Sequence, residues 1–208
     1  MANIFITGIG TEVGKTVISA IVTEALEADY FKPVQAGDLE HSDTMKVQGL
    51  ISNSKSKFYP NSYALHTPMS PHAAAEIDGV HIDTKEIKLP ETDNHLVIEG
   101  AGGILVPLND TQTIVDLIKP VYKVIVVSRH YLGSINHTLM TLQLLKNKGL
   151  DVHLIFNGNE HPTTESIIKK MSQVPVIGRV DEEESIDKAS VKKYAQALKS
   201  SLTYLTVS

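Results

Sequence analysis

A glycine-rich segment between an apolar run and a helix-like stretch places the strongest constraint on the fold of this chain. The apolar run NIFIT occupies residues 3–7, and GIGTEVGKT follows it at residues 8–16. A strand, a glycine-rich turn and a helix in this order direct backbone N–H groups and a helix N-terminus toward one point, which favours phosphate binding. The segment therefore predicts a phosphate-binding loop, in which Lys15 neutralises phosphate charge and the Thr16 hydroxyl ligates Mg²⁺.

The spacing of this loop departs from the usual pattern G-x-x-x-x-G-K-[ST] by one residue. Counting back from Gly14, the position of the first glycine holds Ile9. The additional residue enlarges the arc of the loop that contains Thr11 and Glu12. A glycine-rich turn with a chance Lys-Thr pair is the alternative interpretation of the segment taken alone.

Short apolar runs rich in β-branched residues alternate with helix-like segments along the rest of the chain. The predicted strands lie at residues 4–7, 30–34, 62–65, 95–100, 123–128, 152–157 and 175–180. The predicted helices lie at residues 15–28, within 38–53, and at 70–77, 134–149 and 185–202. Continuous apolar runs are typical of parallel strands that are buried on both faces. The pattern predicts one α/β domain over residues 1–208, a three-layer fold in which helices cover both faces of a mostly parallel sheet.

Composition excludes several classes of function. The chain has 208 residues, a formal net charge of -5 and no cysteine. A negative charge without a Lys/Arg-rich run argues against a surface that binds nucleic acid. No segment approaches the roughly 18 apolar residues that a membrane-spanning helix needs. The absence of cysteine suits the reducing cytoplasm, so we expect a cytoplasmic protein without membrane or nucleic-acid partners.

Two acidic residues are candidate ligands of Mg²⁺, which is usually held by one or two carboxylates beside the phosphates. Glu99 closes the predicted strand HLVIEG, at the edge of the sheet where ligands bind. Asp43 lies in HSDT, after the second predicted strand. Together with Thr16 these residues predict a metal site. The alternative is a capping or salt-bridging role, above all for Asp43, because Ser-Asp also starts ordinary helices.

Lys32 is a candidate catalytic residue. It lies in FKPVQAG, at the carboxyl end of the second predicted strand. A second lysine beside the transferred phosphoryl group would stabilise the charge that develops there. The alternative is a solvated lysine at the edge of the sheet.

Taken together, these motifs resemble the dethiobiotin synthetase family. The matching segments, in chain order, are GIGTEVGKT, FKPVQAG, HSD, PMSPHAAA, VIEGAGG, PL at 107–108, LGSINHTL and the strand-end Asn157. The resemblance runs from residue 2 to about residue 160 and is weak in the last fifth of the chain. The longer spacing of the loop is itself typical of that family, whose fold is P-loop NTPase-like. Partition-type ATPases also have deviant loops, but they carry a second lysine where this chain has Gly10.

The resemblance implies an ATP- and Mg²⁺-dependent ring closure that uses 7,8-diaminononanoate and CO₂ and proceeds through a carbamate and a carbamic–phosphoric anhydride. It implies Lys32 and Lys15 as catalytic residues, and Thr16 with both acidic residues as metal ligands. The implied nucleotide-binding residues are Thr11, Glu12, Val13, Gly14, Lys15, Thr16, Val17, Asp43, Glu99, Gly100, Ala101, Gly102, Asn157 and Gly158. The implied substrate-binding residues are Lys32, Ala36, Gly133, Ser134 and Asn136. The family forms homodimers, and the last three residues would serve the site of the partner subunit.

The segment QAG departs from the family pattern, which has a serine or threonine there. Ala36 carries no hydroxyl, so a hydrogen bond to the carbamate is missing unless a neighbour or a water replaces it. Two alternatives stay open at this point: a nucleotide-switched ATPase of the partition type, and a relative that acts on another substrate.

Overall fold

A parallel sheet of seven strands organises the chain, of which the computed structural model describes residues 1–207. The strands are β1 (Asn3–Gly8), β2 (Asp29–Phe31), β3 (Val34–Ala36), β4 (Phe58–Tyr59), β5 (Tyr63–Leu65), β6 (Leu96–Gly103), β7 (Lys123–Arg129), β8 (Asp151–Asn157) and β9 (Val176–Val180). The order across the large sheet is β4-β2-β6-β1-β7-β8-β9, and β3 and β5 form a separate parallel pair.

Helices surround this sheet, as the alternation of segments predicts. They are α1 (Lys15–Leu26), α2 (Asp43–Leu50), α3 (Pro71–Ile77), α4 (Ser134–Asn147), α5 (Pro162–Ser172) and α6 (Lys188–Val207). Helix α1 packs against α2 and α6, and α4 packs against α5. The α/β fold with a parallel sheet is therefore confirmed. Among residues 1–207, no helix has both the length and the apolar character needed to cross a membrane.

Strand β1 lies at the centre of the sheet, between β6 and β7. Ile6 is paired with Glu99 on one side and with Ile125 on the other. The apolar side chains of these strands are buried because helices cover the sheet. The glycine-rich segment that follows β1 therefore leaves the sheet at the middle of its carboxyl edge.

The strand predicted over residues 30–34 is interrupted at Lys32 and Pro33. Strand β2 ends at Phe31 in the large sheet, and β3 begins at Val34 in the small one. Proline has no backbone N–H and cannot continue a hydrogen-bonded ladder, which explains the break. The register between Phe31 and Ile98, continued by one residue, brings Lys32 beside Glu99.

Strand β6 is longer than predicted, which corrects the position of Glu99. The strand continues to Gly103, which is paired with Gly8. Glu99 is therefore in the middle of β6 rather than at its end. The prediction was wrong because glycines have low strand propensity, whereas here the pairing with β1 continues through them.

Candidate active site

The turn between β1 and α1 has the backbone geometry of a tight loop. Gly14 precedes the helix with φ 95°, and Lys15 is the first helical residue. This positive φ favours glycine, and a Cβ atom at Gly14 would also meet the side-chain amide of Asn157. Asn157 Nδ2 donates to the Val13 carbonyl at 2.9 Å. The carboxyl end of β8 thus contacts the loop and stabilises its conformation.

The ammonium group of Lys15 lies inside this loop. Its Nζ donates to the Gly10 carbonyl at 2.8 Å. Burial lowers the pKa of Lys15 to about 8, although the charge of Glu99 acts in the opposite direction. A phosphate oxygen beside the ammonium would raise this pKa again, because a nearby opposite charge favours the protonated form. The loop therefore presents a cation suited to an anionic ligand.

Glu99 is buried, and the hydrogen bonds of its two carboxylate oxygens come from different sides. Oε1 accepts from the Thr16 hydroxyl and from Lys32 Nζ, both at 3.0 Å. Oε2 accepts from the Tyr30 hydroxyl at 2.9 Å. Burial and the charge of Glu99 raise the pKa of Tyr30, so this hydroxyl keeps its proton and remains a donor. Three side chains therefore donate hydrogen bonds to the Glu99 carboxylate.

Asp43 approaches the same ammonium group from the start of α2. The helix is capped by Ser42, and Gln35 Oε1 accepts from the Asp43 N–H at 3.2 Å. Asp43 Oδ2 lies 2.8 Å from Lys32 Nζ. Burial is the largest influence and acts to raise the pKa of Asp43. The charge and the hydrogen bond of Lys32, together with smaller contributions from other neighbours, lower the pKa below 3.8. Asp43 is therefore ionised at neutral pH.

Lys32 is the buried cation between the two carboxylates. Its side chain is only 5% exposed. Burial acts to lower its pKa, but Glu99 and Asp43 together raise it above 10.5. The site therefore contains a lysine that stays charged while largely shielded from water, and its interactions are strengthened by that shielding.

These groups line one cleft of about 560 Å³ along the phosphate loop. Of the residues predicted for the site, the cleft brings together Thr11, Glu12, Gly14, Lys15, Thr16, Val17, Lys32, Ala36, Asp43, Glu99, Ala101 and Gly102. Thr16, Asp43 and Glu99, the predicted metal ligands, all meet there. The arrangement can hold a polyanion and a divalent cation next to a second lysine.

Two predicted residues face the core instead. Val13 is 3% exposed and packs against Gly8, so only the backbone of Val13 belongs to the loop surface. Gly100 is outside the cleft, and a Cβ atom there would meet Phe5 at 3.1 Å. Side chains alternate across a strand, so Gly100 is on the face of β6 opposite Glu99, and its role at a bound nucleotide stays a prediction.

Asn157 and Gly158, together with the residues at the start of α4, lie outside the cleft. Gly158 has φ 105°, and its N–H donates to the Val180 carbonyl at 2.8 Å, so it joins the ends of β8 and β9. Gly133 has φ 103° and precedes Ser134, the first residue of α4. A role for Asn157 at the adenine, and for Gly133, Ser134 and Asn136 at the site of a partner subunit, stays a prediction.

Sequence reasoning missed two side chains and one loop of the site. The hydroxyl of Tyr30 contacts Glu99, and the amide of Gln35 contacts the start of α2. The segment of residues 68–71 also lines the cleft. Pro68 lies so close to Gly37 that a Cβ atom added to Gly37 would be 2.5 Å from the Cβ atom of Pro68. PMSP and QAG signalled this region, but nothing in the sequence places the two segments in contact.

A phosphate loop at the centre of a parallel sheet, with two carboxylates and a charged lysine beside it, defines a nucleotide-dependent enzyme of the P-loop class. The chain matches the family described as AAA domain over residues 2–190. It is 61% identical to the ATP-dependent dethiobiotin synthetase of Christiangramia forsetii, over 95% of this chain and 96% of the relative. The enzyme of the same name from Cytophaga hutchinsonii is 49% identical, over 95% and 97%. The chain belongs to the ATP-dependent dethiobiotin synthetase family.

Solved structures support the fold. The MinC:MinD cell division protein complex of Aquifex aeolicus is similar with a TM-score of 0.60 and 14% identity, covering 100% of this chain and 97% of that chain. A ParA family ATPase from Chlorobium tepidum is similar with a TM-score of 0.55 and 12% identity, covering 100% and 95%. At such low identity these likenesses show the shared fold alone.

Proposed function

We propose that this chain closes the ureido ring of dethiobiotin from 7,8-diaminononanoate, CO₂ and ATP, releasing ADP and phosphate. One observation carries the proposal beyond the family relationship: the charged Lys32 ammonium lies in the same cleft as the phosphate loop and contacts both acidic residues. A reaction between two anions, a carbamate and a triphosphate, requires such a concentration of positive charge.

The phosphate loop binds the triphosphate in this proposal. Backbone N–H groups of residues 12–17 and the N-terminus of α1 surround the phosphates, as at other helix starts that bind anions. Lys15 exchanges its hydrogen bond with the Gly10 carbonyl for one with a phosphate oxygen. Its positive charge then stabilises the additional negative charge that the leaving ADP acquires.

The donor set of the cleft fits Mg²⁺. Thr16, Asp43 and Glu99 supply a hydroxyl and two carboxylates, which are hard oxygen ligands. In nucleotide sites Mg²⁺ is bound by one or two carboxylates together with the phosphates rather than by an all-protein cage. Bound there, the ion would neutralise phosphate charge and orient the terminal phosphate for attack.

Lys32 brings the two anions together. One amine of the substrate adds to CO₂ and loses a proton, which gives the carbamate. A carbamate oxygen attacks the γ-phosphorus and ADP leaves, which gives the mixed anhydride. The second amine then attacks the carbonyl carbon and loses a proton to solvent, the C–O bond to phosphate breaks, and the ring closes. At about 4 Å from each anion, a shielded ammonium lowers the repulsion in the phosphoryl-transfer step by several kcal/mol.

At Ala36 the substrate site lacks a hydrogen-bond donor for the carbamate. Ala36 lines the cleft but offers no hydroxyl, and the neighbouring Gln35 amide already donates to the Gly37 carbonyl at 2.9 Å. The absence of one donor to the carbamate costs roughly 1–3 kcal/mol unless water replaces it. This departure is the reason that a related substrate stays in consideration.

The proposal also includes a homodimer, contacts to the adenine base and a cytoplasmic location. A homodimer would bring Gly133, Ser134 and Asn136 of one subunit to the substrate carboxylate of the other, where the N–H groups at the start of α4 bind an anion. Asn157 and Gly158 would contact the adenine. The cytoplasm, where ATP is abundant, is the proposed location.

The test is phosphate release by the purified protein with ATP, Mg²⁺ and bicarbonate. We expect release to depend on 7,8-diaminononanoate and to match the amount of cyclic urea formed. Release that is unaffected by the diamine would contradict the proposal and favour a nucleotide switch. Release that responds only to another diamine would retain the reaction and replace the substrate. Gly10, where partition-type ATPases have a lysine, already disfavours the switch.

A further inference from the structure

The hydroxyl of Tyr30 is the one donor on Glu99 that the proposed reaction leaves in place. Thr16 and Lys32 both contact Oε1, whereas Tyr30 contacts Oε2. In the proposed function, which this inference rests on and deepens, the Thr16 hydroxyl turns to the metal and the Lys32 ammonium to the carbamate. Oε1 then loses both donors, and Oε2 keeps its own.

The sheet register fixes this contact. Tyr30 is paired with Val97, and Glu99 lies two residues further along β6, so both side chains are on the same face. The tyrosine is completely buried, and its ring packs against Phe58 at a centroid distance of 5.9 Å. Close packing of the interior disfavours a change of rotamer for a ring in this position. Its hydroxyl is therefore a fixed point from which the carboxylate is oriented.

We propose that Tyr30 is a positioning residue: its hydroxyl holds Oε2 of Glu99 toward the sheet, so that Oε1 alone faces the cleft and Mg²⁺. Mg²⁺ demands near-ideal octahedral geometry, and a carboxylate restrained to one oxygen suits it better than one free to rotate. Hydrogen bonds to the outer side of a metal ligand typically change metal affinity or activity by 10–100-fold.

The test is the substitution Tyr30→Phe, which removes the hydroxyl and keeps the packed ring. Binding of Mn²⁺, as a paramagnetic substitute for Mg²⁺, is titrated by electron paramagnetic resonance in the presence of a non-hydrolysable ATP analogue. We expect the Kd for Mn²⁺ to rise about tenfold, while binding of the analogue in excess EDTA changes less than about twofold. This split separates positioning of the metal ligand from a general loss of structure.

The matched control is Tyr122→Phe. Tyr122 is also buried, but it precedes β7 at the amino end of the strands, whereas the cleft is at their carboxyl end. We expect its Kd for Mn²⁺ to match that of the wild type. In a Glu99→Gln background, Tyr30→Phe should produce no further loss of Mn²⁺ affinity, since the two residues act through one contact.

A folded Tyr30→Phe variant with wild-type Mn²⁺ affinity would overturn the inference, as would an equal loss of affinity with and without Glu99. If the variant does not fold, a crystal structure of the wild type with Mg²⁺ and the analogue decides. Oε1 toward the metal with Oε2 on Tyr30 supports the inference, and Oε2 toward the metal overturns it. The titrations contain no diamine, so a failure of the proposed reaction would be recognised separately.

Discussion

The carboxylates of Glu99 and Glu165 are both buried and both contact cationic side chains. They differ in their position relative to the cleft. Glu165, in the first turn of α5, contacts Arg179 at 2.8 Å and His130 at 3.1 Å. It also accepts from the His161 N–H at 3.3 Å. We call Glu165, Arg179, His130 and His161 the Glu165 cluster, or second cluster. None of these four residues lines the cleft that contains Glu99.

The comparison shows that a buried ion pair by itself does not mark an active site. Glu165 connects α5 to His130, which follows β7, and to Arg179 of β9, so we expect it to act in stability. Glu99 has the same chemistry, but two of its partners, Thr16 and Lys32, line the cleft along the phosphate loop. Perturbed or buried charges indicate function when they also line a cavity. The contrast predicts that substitutions of residues lining the cleft change catalysis and that substitutions in the Glu165 cluster reduce stability.

The largest effect is expected for Lys32→Leu. In the proposed reaction, the substitution removes the cation that lies between the carbamate and the triphosphate. It should lower the diamine-dependent turnover by about 10³-fold, as for the loss of other electrostatic stabilisers. Binding of ATP should persist, because the phosphate loop is unchanged. Stopped-flow phosphate release and calorimetric nucleotide binding measure the two quantities. Turnover near that of the wild type would remove Lys32 from the mechanism.

The next effect is expected for Glu165→Gln, which breaks the second cluster. It leaves Arg179 and His130 without their shared anion and should lower the free energy of unfolding by about 3 kcal/mol. Turnover per folded molecule should stay within about twofold, since Glu165 is remote from the cleft. Urea unfolding followed by circular dichroism measures the loss. A folded variant with a thousandfold lower turnover would abolish the distinction between the cleft and the Glu165 cluster.

A smaller effect is the acid sensitivity of the second cluster. Burial acts to raise the pKa of Glu165, but the bond from the His161 N–H, the His130 ring and the charge of Arg179 together lower it below 4.5. A carboxylate with a lowered folded-state pKa stabilises the fold above its unfolded pKa, and this contribution disappears as the pH falls through the folded value. The stability difference between the wild type and Glu165→Gln should therefore shrink below pH 4.5. A difference that grows with acid would contradict this assignment.

The smallest effect is expected for Ala36→Ser in the cleft. A hydroxyl at the cleft should leave kcat unchanged or raise it, and lower KM for the diamine by up to about tenfold, the value of one hydrogen bond. Ala64→Ser, on the exposed side of the β3–β5 pair, is the matched control. A large loss of activity in a folded Ala36→Ser protein would show that this side chain does not face the carbamate.

Local sequence was sufficient for most of the fold and for the residues that carry charge. The apolar runs predicted the sheet, because burial on both faces requires continuous apolar strands. The loop residues were identifiable because glycine, lysine and threonine at this spacing have few other uses. Lys32 and Glu99 were identifiable because each is a charged residue at or next to an apolar strand, and Asp43 because it follows in the next polar segment.

The rest depended on pairing between distant segments. Tyr30 looks like any apolar strand residue until β2 and β6 are in register, and only then does its hydroxyl reach Glu99. Gly100 looked like part of a ligand loop because its neighbours are glycines, yet β6 continues through it. The Glu165 cluster combines residues from three separate segments, around 130, 161–165 and 179, and no local pattern joins the three. Such contacts follow from tertiary structure rather than from propensity.

The most direct measurement of the central claim is the fate of oxygen from labelled bicarbonate. In single-turnover reactions with fresh ¹⁸O-bicarbonate, ATP, Mg²⁺ and the diamine, we expect the released phosphate to contain one ¹⁸O atom, analysed by mass spectrometry. The carbamate oxygen that attacks phosphorus leaves with it when the ring closes. Phosphate without the label, formed together with ADP at the same rate, would mean that water attacks the nucleotide, and would contradict the account.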